Sequence, residues 1–172
     1  MMQKFNFLGL LTIVLCLTSC DVYRARAPYT YEFVYGKTPL LRDGYAIAPK
    51  SAPGRVHRAV KAGNRLQGKP YRMGGGHRHV EDSAYDCSGT VSYALINAGL
   101  LKSPLTSKGF KKYGSGGPGK WITIYAKDGH VFMTVGGLRL DTGYRRDDRS
   151  GPKWLTGSRP AKGYVMRHPP GY

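Results

Sequence analysis

Tyr85-Asp86-Cys87-Ser88-Gly89-Thr90-Val91-Ser92-Tyr93 is the stretch on which the fold turns. Val91, Ala94, Leu95 and Ala98 lie on one helical stripe, which predicts a helix over 87–98. Asp86 stands where an N-cap belongs, with a carboxylate able to accept first-turn N–H groups, and Gly99 stands where the helix should end. Cys87 then falls in the first turn, where unpaired backbone N–H groups and the positive end of the helix dipole favour thiolate over thiol. A thiolate so placed suits covalent catalysis. Ser88 adds a polar group beside the sulfur, and Gly89 lets another chain or a substrate approach closely.

Outward from this helix the pattern divides in two. Upstream, Val56, Ala59, Val60 and Leu66 recur near helical spacing over 55–67, leaving Arg55, Arg58, Lys61 and Arg65 for the other face and Gly68 and Pro70 as a stop. Downstream the period becomes two. Residues 121–126 alternate and are β-branched, Asp128-Gly129 reads as a turn, 130–135 alternate again, Gly136-Gly137 is a second turn, and 138–142 and 163–167 are further strands. Helices first and an antiparallel meander afterwards predict an α+β domain over 53–172, enough chain for one core. Residues 20–52 hold several tyrosines and prolines, no helical period and no strand longer than 31–35. They read as a tether that can pack in part on the domain.

The thiol needs a base to take its proton and deliver it to a leaving amine. His130 begins a strand directly after the Asp128-Gly129 turn, where a side chain can point off a sheet toward a helix N-terminus. Asp141 lies eleven positions on. A hairpin centred on Gly136-Gly137 is expected to set the two opposite each other, so that the carboxylate orients the imidazole.

The N-terminus carries one basic residue, Lys4, then an apolar run over 5–17 that is too short to cross a bilayer comfortably but suits a signal-peptide core. It closes in Leu17-Thr18-Ser19-Cys20, which resembles the lipobox of bacterial lipoproteins. That resemblance implies a signal peptide over 1–19, acylation of Cys20, and an exported protein anchored by lipid to the cell envelope on the periplasmic side of a membrane. Cys16 leaves with the signal and Cys20 carries lipid, so Cys87 remains as an unpaired thiol in an oxidising compartment, where a chemical reason to keep it is expected. The net charge is +17, and +16 once the signal, whose only charged side chain is Lys4, is removed. Such a balance favours polyanionic surroundings. Export argues against nucleic acid as the partner and leaves peptidoglycan carboxylates and anionic lipid.

Asp86-Cys87-Ser88-Gly89 at a helix start, preceded by Lys69-Pro70-Tyr71-Arg72-Met73-Gly74-Gly75 and followed by Gly129-His130-Val131 on a strand, resembles the NlpC/p60 family of papain-like cell-wall cysteine peptidases. The similarity covers about residues 53–168. It implies a papain-like α+β fold, with N-terminal helices packed on an antiparallel sheet, and a Cys/His pair with a polar third member. It implies hydrolysis of amide bonds in peptidoglycan stem peptides. On that basis Cys87 is the expected nucleophile, His130 the base, Asp141 the orienting group and Tyr71 a donor to the oxyanion, while Asp86, Ser88 and Gly89 are expected beside the substrate.

Three departures from the family pattern stand out. The loop over 76–85 is longer than usual, Gly119-Lys120-Trp121-Ile122 replaces a Pro-Gly-Asp element, and Asp141 falls where histidine is common. The same thiolate could serve an amidase or a lipid acyltransferase, and a wall-binding protein that has lost turnover is the non-enzymatic alternative. No metal or cofactor is expected. His77 and His79 lie on an unpatterned loop without a clear fourth ligand, which reads as exposed. Residues 114–120 fit only the first part of a phosphate-binding loop, with Trp121 where a hydroxyl is needed, and read as a flexible loop.

Overall fold

The computed structural model describes residues 30–143 and 150–172. The expected signal peptide over 1–19, Cys20 and the expected tether as far as residue 29 lie outside the described residues.

The chain enters as a hairpin, β1 (Leu40–Arg42) and β2 (Tyr45–Ile47), then forms helices α1 (Gly54–Arg65), α2 (Cys87–Asn97) and the single turn α3 (Ser107–Phe110). Six strands follow: β3 (Ser115–Gly116), β4 (Ile122–Lys127), β5 (His130–Val135), β6 (Leu138–Asp141), β7 (Lys153–Leu155) and β8 (Val165–His168). They build one antiparallel sheet in the order β3-β8-β4-β5-β6-β7. The fold is therefore α+β, with helices on an antiparallel sheet.

Alternation decides which side chains meet the helices. Ile122, Ile124 and Ala126 of β4, Val131, Met133 and Val135 of β5, and Leu138 and Leu140 of β6 join Val56, Val60, Val91 and Leu95 in one core. The opposite face is covered too. Tyr125 stacks on Phe132 at 4.7 Å, and Tyr164 and Ala161 close over them. Burial on both sides explains why β5 is buried along its whole length.

Helix α1 ends where the fold is tied together. A side chain at Gly63 would meet the Trp154 ring at 2.4 Å, so only glycine admits that indole. Trp154 Nε1 donates to Asn64 Oδ1 at 2.9 Å, and Asn64 also bonds the Ala46 backbone in both directions at 2.9 Å. One amide thus joins β2, α1 and β7.

Several boundaries differ from the sequence reading. Residues 31–35 form no strand. The hairpin lies farther on, at 40–47, and packs Ala46 into the core, so residues 30–52 are in large part laid on the domain. The last strand runs Val165–His168 and pairs with β3, inside the segment expected to be a flexible loop. Arg167 pins that segment by donating to the carbonyls of Tyr113 and Gly114.

Candidate active site

Helix α2 starts as its sequence predicts. Asp86 is extended and buried, and its Oδ1 accepts the Gly89 N–H at 2.7 Å and the Ser88 hydroxyl at 3.0 Å. Its Oδ2 accepts the Gly74 N–H at 2.9 Å. The preceding loop is drawn onto this turn. Tyr71 and Tyr85 form a parallel bridge, the Asp86 N–H donates to the Gly75 carbonyl at 3.2 Å, and the Gly76 N–H donates to Asp82 Oδ2 at 3.0 Å. That last bond, reinforced by Arg72 at 2.6 Å, holds the Asp82 carboxyl well below the usual carboxylate range.

Gly89 serves a chain approach. A Cβ there would stand 2.0 Å from the Gly75 carbonyl oxygen, a contact with backbone that no rotamer change relieves. Gly89→Ala is expected to cost roughly 3 kcal/mol, seen as a lower urea midpoint at unchanged slope. Stability within a few tenths of wild type would mean that the two segments separate readily. With its partners inside the protein, Asp86 shapes the helix start and does not present a free carboxylate to a substrate. Ser88 and Gly89 are likewise buried.

Cys87 itself is half-buried and is a free cysteine. The backbone N–H groups of Val131, the residue after His130, and of Ser88 act on its ionisation. Burial nevertheless pushes the thiol up to about 11, against an ordinary 9.0, and the Val131 and Ser88 N–H groups offset only part of that. The thiolate expected from the helix position is therefore not the resting form. Desolvation of the sulfur outweighs the helix terminus. Alkylation by iodoacetamide is expected to be slow at neutral pH and still rising about tenfold per pH unit between about pH 8 and about pH 10. A rate that levels off near pH 7 would indicate a resting thiolate.

His130 is buried at the start of β5, and its Nε2 lies 3.0 Å from Asp141 Oδ1. Strand pairing sets Met133 opposite Leu140, so the two catalytic candidates are diagonal neighbours on one face of the sheet. They are not the directly opposed pair that the turn alone predicted. Burial lowers the imidazole below its ordinary 6.5, and Asp141 counters this only in part. Asp141 is also buried. Its Oδ1 accepts the Thr142 N–H at 2.8 Å, and its Oδ2 accepts Arg139 Nη1 at 3.0 Å and Arg159 Nη1. Arg159 lies over the Phe132 ring, 5.5 Å from its centre.

The chain matches no family model and no curated protein. The site therefore rests on its own geometry. The structure joins His130 to Asp141, lets the N–H of the residue after His130 bear on the Cys87 thiol, and pairs Tyr71 with Tyr85 two residues ahead of Cys87.

Sequence reasoning missed three members. His77, read as part of an exposed loop, is half-buried, and its Nε2 lies 3.0 Å from Ser88 Oγ and 3.2 Å from Asp86 Oδ1. Arg139 could have been found, since it stands two residues from Asp141 on the same strand face. Arg159 gave no local signal. Among the described residues no group of His, Cys, Asp or Glu is placed to hold a metal ion, and no helix is long and apolar enough to cross a membrane.

Proposed function

We propose that the protein is an exported, lipid-anchored peptidoglycan hydrolase of the NlpC/p60 type, with a papain-like arrangement of its helices and sheet, that cleaves stem-peptide amides through Cys87. The observation that supports this reading is the Cys87 sulfur at the start of α2, on whose ionisation the Val131 N–H acts, together with a His130, the residue before Val131, whose Nε2 is bonded to buried Asp141. The resting pair is thiol and neutral imidazole. On attack, the Sγ–H proton passes to His130 as sulfur bonds the scissile carbonyl carbon. Asp141 steadies the resulting imidazolium, which gives that proton to the departing amine as the C–N bond breaks. Water, activated by the neutral imidazole, then hydrolyses the thioester to carboxylate and regenerates the thiol. The Cys87 backbone N–H, which the helix leaves without an intrahelical acceptor, and the Tyr71 hydroxyl are the proposed donors to the oxyanion.

Incubation with defined muropeptides is the test. Mass spectrometry should find paired fragments, one bearing a new amine and the other a new carboxylate. The pH dependence of kcat/KM should rise through a pKa below 6.5 and hold a plateau into alkaline solution. The sign follows from both shifts: lowering His130 keeps the base neutral in weak acid, and raising Cys87 keeps the thiol protonated to higher pH. Sacculi bound without any fragment would establish the non-catalytic alternative, and an acylated or deacylated lipid would establish acyl transfer.

A further inference from the structure

Exposed apolar side chains are concentrated in one place. Of the six large hydrophobic residues exposed among the described residues, Phe33, Val34, Tyr35, Tyr45 and Ile47 all fall within fifteen positions, and only Met73 lies elsewhere. Tyr35 is 91% exposed. Phe33, Tyr35, Leu40 and Ile47 line a groove of about 470 Å³ whose rim includes Lys50. A second depression, sharing Thr38 and Ser51 with the first, is bordered by Lys37 and Lys120. Exposed Glu32 and Asp43 also lie in this part of the chain. A soluble monomer seldom leaves so many aromatic and aliphatic groups together in water without a partner.

We infer that this face, built from residues 33–51 with Lys120, is a membrane-docking surface that seats on anionic phospholipid. Tyrosine and phenylalanine suit the boundary between headgroup and acyl chain, and lysine stems lie along apolar surface while their ammonium groups reach phosphate. Chain order names the membrane as occupant, and this step rests on reading Cys20 as the lipidated residue. Thr30 lies ten positions after Cys20, a reach of at most about 36 Å, so an anchor there keeps this face near the bilayer. Beside such an anchor, lysines and aromatic side chains add electrostatic and apolar contact to what the acyl chains supply.

The position of the patch within the fold agrees with this assignment. Pro39 packs against Gly136 and Tyr31 against Gly137, so the segment lies at the β5–β6 turn. His130 occupies the other end of β5, about 17 Å away at the rise of a strand. A protein seated by this face would hold its thiol and imidazole away from the lipid.

The experiment uses the chain beginning at Asp21, which keeps every described residue and has no acyl group. It should co-sediment with vesicles of phosphatidylglycerol in phosphatidylcholine, and weakly with phosphatidylcholine alone. Tyr35→Ser with Ile47→Ser should weaken binding by on the order of tenfold or more, and Lys37→Glu with Lys50→Glu should remove the preference for anionic vesicles. All four side chains are exposed, so thermal unfolding should match wild type. The proposal is overturned if wild type ignores anionic vesicles, if it binds both kinds equally, or if the serine pair binds as wild type does. It is also overturned if the face instead joins two copies, seen as a dimer in sedimentation velocity that the serine pair converts to monomer. The vesicles contain no peptidoglycan, so the result is independent of hydrolysis, and the mass of protein extracted from cells reports acylation of Cys20 separately.

Discussion

Cys87→Ala should lower stem-peptide cleavage by on the order of 10³-fold or more, with fragments falling to the level of a blank, while the fold is retained. The reason is chemical, since no other cysteine lies among the described residues and the alanine methyl cannot form the thioester. The replaced side chain is small and half-buried, so urea unfolding should move by less than about 1 kcal/mol. Binding to sacculi should survive. If the variant digests defined muropeptides at the wild-type rate, the covalent mechanism is wrong whatever the wild type does.

Asp141→Asn should damage both activity and stability. The carboxylate accepts from His130, the Thr142 N–H, Arg139 and Arg159, all in a buried setting. An amide of the same shape removes the carboxylate that, among the described residues, pairs with both guanidinium groups. Among the described residues Arg139 has little else to turn to, because its Nε is buried there without a hydrogen-bond partner. Loss of one member of such a buried cluster costs about 3–5 kcal/mol, to be read from urea unfolding. Turnover should fall by roughly 10²–10⁴-fold, since the imidazole loses both its orientation and the charge that favours its protonated form. The acid limb of kcat/KM should also move to lower pH, because Asp141 raises the His130 pKa in the wild type. An acid limb that stays in place would mean that Asp141 does not act on His130.

Much of this arrangement can be read from periodicity. Helix α2, its Asp86 cap, strands β4 to β6 and the two glycine turns are long and regular enough for spacing to define them. The elements that escape are short. β1, β2, β7 and α3 have three or four residues each and β3 two, so none runs through its repeat more than about once. In the site, Cys87, His130 and Asp141 were legible because each sits at the end of a periodic element. The His77 contacts were not, since they depend on how a loop with no period folds back onto Asp86 and Ser88. The ionisation of Cys87 was misjudged because a helix terminus can be recognised from sequence, whereas the depth of the sulfur depends on tertiary packing.

The loop over 76–85 enters and leaves through a clasp. Tyr71 pairs with Tyr85, and Asp86 bonds Gly74 and Gly75, so the two ends of the excursion are fastened to each other just ahead of the nucleophile. Arg78 and His79 at its tip are exposed. Foreign residues grafted between those two would therefore remodel the rim with the thiol still in register, making this the natural place to diversify the protein without rebuilding its chemistry.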